Sequence, residues 1–104
     1  MYTIKSLTEF DAWFDGLKDS ATRARLIRRL EKAARGLLGD VEPVGEGVSE
    51  MREFFGPGWR MYYIEQGDVL IVMLGGGTKA TQSRDIKRAK ALARTLKNDE
   101  ENPS

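Results

Sequence analysis

An α+β fold is predicted for this chain by a change of hydrophobic period along its length. Apolar residues recur at helical spacing in two early segments and one late one, and at strand spacing in the segments between. The last three strand candidates are joined by short turn signals, which predicts an antiparallel meander. The expected order is therefore β-α-α-β-β-β-α, a small antiparallel sheet backed on one face by the two N-terminal helices, with the other face open. A length of 104 residues suits one domain with one modest core. Residues 1–97 are expected to form that domain, and 98–104 a polar, acidic, disordered tail.

Each element has a local reason. Tyr2 and Ile4 alternate with Thr3 and Lys5 as a short strand would. Thr8 can cap a helix whose apolar positions are Phe10, Trp13, Phe14 and Leu17, interrupted by Gly16 and Asp19-Ser20. Ser20 can cap a longer helix to about Leu38, with Ile27, Leu30, Ala34 and Leu37 on one face and Gly39 as its stop. Gly39 to Gly47, with Pro43 and several acids, reads as a loop. Val48 to Phe55 and Trp59 to Glu65 are strands about a Gly56-Pro57-Gly58 turn. After the Gln66-Gly67-Asp68 hairpin signal, Val69 to Leu74 is apolar on both alternating sets, which predicts a strand in the sheet interior. Gly75-Gly76-Gly77 breaks that run. A final helix is expected from about Gln82 to Leu96, with Ile86, Ala89, Ala93 and Leu96 at helical spacing.

Composition removes several function classes. With no cysteine and no histidine, a disulfide framework, a thiolate or imidazole zinc site, and Ser-His-Asp or Cys-His nucleophilic chemistry are excluded. No metal and no cofactor are expected. The longest apolar run, Val69 to Leu74, is far short of the ~20 residues of a membrane span. Met1 to Lys5 lacks the basic start of a signal peptide, so a cytoplasmic location and no membrane partner are expected.

The net charge is only +1, but the signs are segregated. Arg23, Arg25, Arg28, Arg29, Lys32 and Arg35 crowd the second helix against the single acid Glu31, and Arg84 to Lys97 form a second basic stretch. Such a face suits a polyanion, or is simply solvated. In the strands, Arg60, Tyr62 and Ile64 share one side, and Glu50, Arg52 and Phe54 share a side of the preceding strand. Two arginines near one hairpin either pair with Glu50 or Glu53, or project from an open face and grip phosphate with their planar forks. Lys79 follows the glycines just before the last helix, a favourable place for an anion; the alternative is a solvated loop lysine.

The run Gly45-Glu46-Gly47-Val48-Ser49-Glu50-Met51-Arg52, the hairpin Phe55-Gly56-Pro57-Gly58-Trp59-Arg60-Met61-Tyr62-Tyr63, the segment Leu74-Gly75-Gly76-Gly77-Thr78-Lys79 and the run Ser83-Arg84-Asp85-Ile86-Lys87-Arg88-Ala89 resemble the RelE/ParE toxin superfamily, and within it the HigB-like addiction module killer proteins. The resemblance reaches to about Lys97. It implies a RelE-like fold and the toxin of a type II toxin–antitoxin module: an mRNA endoribonuclease that needs the ribosome and no metal, neutralised by a cognate antitoxin. That antitoxin is expected to be a small helix-turn-helix protein encoded nearby, with DNA engaged only through the complex. Carried over, Arg60 stands beside the scissile phosphate, Arg52 and Lys79 occupy basic positions around it, and Arg25, Arg28, Arg29, Lys32 and Arg35 contact ribosomal RNA. Arginines suit charge stabilisation of the phosphorane, Lys79 is the candidate base, and Tyr62 a weaker acid–base candidate. The superfamily also contains toxins that poison DNA gyrase, so a non-catalytic binding toxin is the alternative. Convergence of Arg52, Arg60 and Lys79 on an open face favours catalysis; their capture by Glu50 and Glu53 favours the alternative.

Overall fold

The computed structural model describes the backbone of residues 1–101 and the side chains of residues 1–98. The elements are β1 (Thr3–Ser6), α1 (Thr8–Asp15), α2 (Ser20–Ala34), β2 (Val41–Gly45), β3 (Val48–Arg52), β4 (Trp59–Gln66), β5 (Leu70–Thr78), a 3₁₀ turn (Lys79–Thr81) and α3 (Gln82–Glu101). They build one five-stranded sheet of order β1-β5-β4-β3-β2, in which β1 runs parallel to β5 and the other pairs are antiparallel. Helices cover both faces. Phe10, Leu26 and Ala33 of α1 and α2 pack with Met51, Met61, Tyr63, Ile71 and Met73, while Ala89 and Ala93 of α3 pack with Val48, Tyr62, Val72 and Leu74. The α+β class, the meander and the position of the two early helices hold. The open second face does not, because the apolar stripe of α3 closes it. Among the described residues no helix is long and apolar enough to cross a membrane.

Local differences have local causes. The segment read as a loop contains β2, paired to β3 through a Glu46-Gly47 turn whose residues both have positive φ, 54° and 79°. Such mirror-type turns match the twist of a hairpin, and Pro43 is tolerated because β2 is an edge strand. α2 ends four residues before Leu38, with Gly36 at φ 90° just past its last turn. Its N-cap is Asp19, which accepts from the Ala21 N–H and the Thr22 hydroxyl, and Ser20 is the first helical residue. Likewise Leu7 precedes α1, and Thr8 makes no cap. The buried stripe of α2 is Leu26 and Ala33 with Leu30 beside them, whereas Ile27 and Leu37 are exposed.

β5 runs on through the triple glycine to Thr78, past the break expected at Gly75. Of the run Val69 to Leu74 expected to be buried on both faces, Ile71 to Leu74 is so between β1 and β4, whereas Val69 lies in the hairpin turn, 63% exposed, and Leu70 is half-buried. α3 passes Leu96 and takes in residues 98–101, the first part of the segment expected to be a tail; residues 102–104 lie outside the described residues. A bidentate pair between Arg94 and Glu46 (2.9 and 3.1 Å) ties α3 to the β2–β3 turn.

Candidate functional site

The candidate residues gather where the β3–β4 hairpin meets the end of β5. Arg52 and Arg60 are directly opposed in register, so both side chains leave the same sheet face. The loop between them is set by Glu53 N–H donating to the Trp59 carbonyl (2.9 Å), Gly58 N–H to Phe55 (3.1 Å), and positive φ at Gly56 and Gly58. Lys79 N–H donates to the Gly58 carbonyl at 2.9 Å, joining the end of β5 to the hairpin. Gly58 is the shared neighbour: a Cβ added there would lie 3.3 Å from the Lys79 Cβ and 3.6 Å from Arg60 Nη1. Any side chain there meets the stem of Lys79 and the guanidinium of Arg60, and at φ 79° it is also strained.

The three cations differ in surroundings. Arg60 is 5% exposed; its Nη1 donates to the Glu53 and Trp59 carbonyls, and its Nε lies 3.7 Å from Glu50 Oε2, too far for a hydrogen bond. Glu50, 2% exposed, accepts from Gln82 Nε2 at 2.9 Å on each oxygen. Arg52 is half-buried and donates to Asp40 at 2.8 and 3.3 Å, with Glu42 at 4.0 Å; the bond to Asp40 raises its already high pKa. Lys79 is exposed, and among the described residues no carboxylate pairs with it. Tyr62 lies on the Arg60 face but is fully buried under α3, its hydroxyl without a partner. Burial first, then the negative charges of Glu50 and Asp85, push its pKa well above that of a free phenol.

Around the hairpin, Phe54 is 72% exposed, with the Arg52 and Arg60 guanidiniums 5.9 and 5.8 Å from its ring centroid. Phe55 turns the other way, and Arg25 of α2 lies 3.7 Å over its ring. Arg28, Lys32 and Arg35 are exposed on α2. Arg29 is not: it is 9% exposed, donates to the carbonyls of Leu38 (3.1 Å), Asp40 (2.6 Å) and Arg52 (2.9 Å), and pairs with Glu53 at 3.2 Å. Its expected place on the RNA-contact face is therefore corrected to a bracket between α2 and the β2–β3 sheet edge.

An uncharacterised protein of Haemophilus influenzae Rd is 40% identical over 93 residues, covering 89% of this chain and 94% of the relative. The chain belongs to the same family as that protein. No protein-family model matches the sequence. Among solved structures, a conserved hypothetical protein of Helicobacter pylori, HP0894, superposes with a TM-score of 0.56 at 20% identity, covering 77% of this chain and 97% of that one. YafQ of Escherichia coli BL21(DE3) superposes with a TM-score of 0.52 at 18% identity, covering 79% and 98%. The chain shares its fold with these two structures.

On this frame the hairpin end sets Arg52 opposite Arg60 and brings Lys79 to Arg60 across Gly58, while Tyr62, on the same face, is buried under α3. Of the three only Lys79 is exposed, and the groove of about 600 Å³ between α1 and α3, lined by Thr8, Trp13, Gly75, Arg84 and Arg88 among others, includes none of them. Sequence reading found Arg52 and Arg60 and named Glu50 as a partner, which Arg60 faces, but gave Arg52 the wrong carboxylate. Asp40 rather than Glu50 or Glu53 holds Arg52, because β2 brings Asp40 alongside it, and Glu50 pairs diagonally with Arg60. Gln82 and Arg29 left no signal beyond their place on helices. Phe54 left one: two adjacent aromatics before a glycine turn cannot both face the same side.

Proposed function

We propose that this protein is the toxin of a type II toxin–antitoxin pair, of the HigB-like kind, that cleaves mRNA on the ribosome without a metal ion and is silenced by a cognate antitoxin. The observation that carries this reading is the approach of Lys79 to Arg60 across Gly58, with Arg52 opposite Arg60, on the fold shared with HP0894 and YafQ. Cleavage aligns the 2′-oxygen with phosphorus and the departing 5′-oxygen; a proton leaves the first and one reaches the second. Arg60 and Arg52, always cationic, balance the phosphorane charge. Lys79, exposed at the rim, holds phosphate or moves a proton. Tyr62 takes no part, because its hydroxyl is buried and held protonated. With no histidine in the chain, alignment by the ribosome supplies much of the rate, and effective molarities of ~10⁵ M or more give the scale. Arg25, Arg28, Lys32 and Arg35 of α2 meet ribosomal RNA, and the protein works in the cytoplasm.

The pairs Arg60–Glu50 and Arg52–Asp40 favour a second reading, a non-catalytic toxin that binds DNA gyrase or another protein. On the first reading phosphate must replace Glu50 at Arg60, whose Nε there makes no hydrogen bond. The test is cleavage of mRNA on programmed ribosomes. Arg60→Ala alone leaves Glu50 buried without its cation, a change that costs about 3–5 kcal/mol of stability in comparable pairs. The pair Glu50→Gln with Arg60→Gln avoids that stranded charge. The folded double variant is expected to lose cleavage on the order of 100–1,000-fold. Full activity in it rejects the ribonuclease reading and directs the search to gyrase. Co-expression with an adjacent small helix-turn-helix gene is expected to yield a stable complex and restore growth.

A further inference from the structure

We propose that Phe54 is a stacking platform for one unpaired nucleobase, with Lys79 holding an adjacent phosphate; the assignment rests on the nucleic-acid reading above. Phe54 is the one aromatic of the chain left exposed, at 72%. The other eight, from Tyr2 to Tyr63, are buried or half-buried. Its exposure is built rather than incidental. The loop is closed by the Glu53–Trp59 and Phe55–Gly58 backbone bonds and joined to β5 through Lys79 N–H. The neighbouring Phe55 is covered by the Arg25 guanidinium at 3.7 Å. Phe54 thus stands out from a fixed hairpin end, on the same side as the opposed arginines.

The surroundings of the ring choose its ligand. An aromatic anchor for a protein partner sits in an apolar, desolvated patch. Here the ring's near neighbours are the guanidiniums of Arg52 and Arg60, at 5.9 and 5.8 Å, and the unpaired Lys79 lies across Gly58. Asp40 and Glu42 engage Arg52, and the buried Arg60 faces Glu50, so the cationic tilt of the site rests most on the exposed Lys79. Aromatic faces ringed by cations bind single strands, whose bases are free to stack and whose phosphates need neutralising. Every base has such a face, so the site is sequence-tolerant. A duplex keeps its base faces to itself and gains nothing from the ring.

The test uses a fluorescent 2′-O-methyl oligoribonucleotide, which lacks the attacking hydroxyl and cannot be cleaved, titrated into the whole purified protein at several salt concentrations. Phe54→Ala is expected to weaken single-strand binding roughly tenfold or more and Phe54→Trp to retain it. Neither changes the salt slope, because no charge is lost. Lys79→Gln is expected to lower that slope by about 0.7. Binding of the same sequence as a duplex is expected to be insensitive to Phe54→Ala. Equal single-strand affinity for wild type and Phe54→Ala overturns this inference and leaves the toxin reading standing, as does a Phe54→Ala defect confined to antitoxin binding. A wild type that binds neither strand form, even at millimolar probe, overturns the nucleic-acid reading and the inference with it.

Discussion

The two adjacent arginines of α2 have opposite fates, and the difference is measurable. Arg29 sits on the stripe of Leu26, Leu30 and Ala33 and is only 9% exposed. It satisfies three backbone carbonyls and the Glu53 carboxylate. Arg29→Ala leaves these acceptors stranded in a half-buried site, so a loss of about 3 kcal/mol in urea unfolding is expected. Arg28→Ala removes an exposed charge and should stay within about 0.5 kcal/mol of wild type. Equal effects of the two would show that Arg29 is not a bracket. Sequence reading put both on the charged face because it took Ile27, Leu30, Ala34 and Leu37 as the buried stripe. A helix turns about 100° per residue, so the observed stripe of Leu26, Leu30 and Ala33 takes in Arg29 and leaves Arg28 outside. Buried charge is legible only when its acceptors are known, and those come from Leu38, Asp40 and Arg52 on other elements. Arg52 and Arg60 were legible for the opposite reason. Strand alternation assigns a face without knowledge of the partner, and that assignment holds even though Arg52 pairs with Asp40 and not with Glu50 or Glu53.

At the scale of elements, the triple glycine of β5 shows where local pattern misleads. Three glycines in sequence read as a break, yet each answers to a different neighbour. A Cβ at Gly76 would lie 2.5 Å from the Trp13 ring, and one at Gly77 would lie 1.9 Å from Asp85 Oδ2 and 2.8 Å from Thr81 Oγ1. At Gly75 it would meet nothing within 4 Å. The glycines therefore let α1 and the start of α3 approach the strand from its two sides. Gly76→Ala and Gly77→Ala are expected to cost about 1–3 kcal/mol by overpacking. Gly75→Ala should be neutral, or stabilise by up to about 1 kcal/mol through the unfolded chain. Thermal unfolding of the three single variants tests this ranking, and an equal penalty at all three would reject it. The same blindness hid β2, where Gly39, Pro43, Gly45 and Gly47 carried the turn and edge chemistry of a hairpin. Glycine marks a position where a side chain does not fit; only the fold says whether the obstacle is a turn, a ring or a carboxylate.

For the whole molecule, the decisive feature is that α3 closes the second sheet face and sets a tyrosine into the interior with its hydroxyl unpartnered. The stripe Ile86, Ala89, Ala93 and Leu96 was legible in the sequence, and these residues do pack inward. The face they would cover was not, because period alone places apolar residues on a helix and says nothing of the surface that receives them. The consequence is a dependence of stability on alkaline pH. Tyr62 has a folded pKa raised by burial and by the charges of Glu50 and Asp85, and burial raises Tyr63 as well. A raised folded value means that the unfolded chain gives up these protons first, above the ordinary phenol value of about 10. Their contribution is therefore fully present below pH ~10 and is lost as pH climbs toward the folded values, at no more than about 1.4 kcal/mol per pH unit for each ring. Lysines also titrate in that range, so Tyr62→Phe isolates the effect. It keeps the ring and deletes the orphan hydroxyl, so its stability at pH 7 should equal or slightly exceed that of wild type. Between pH 9 and 11 its urea midpoint should fall less steeply. Parallel curves for the two proteins would mean that the Tyr62 hydroxyl reaches water, and with it that α3 does not seal this face.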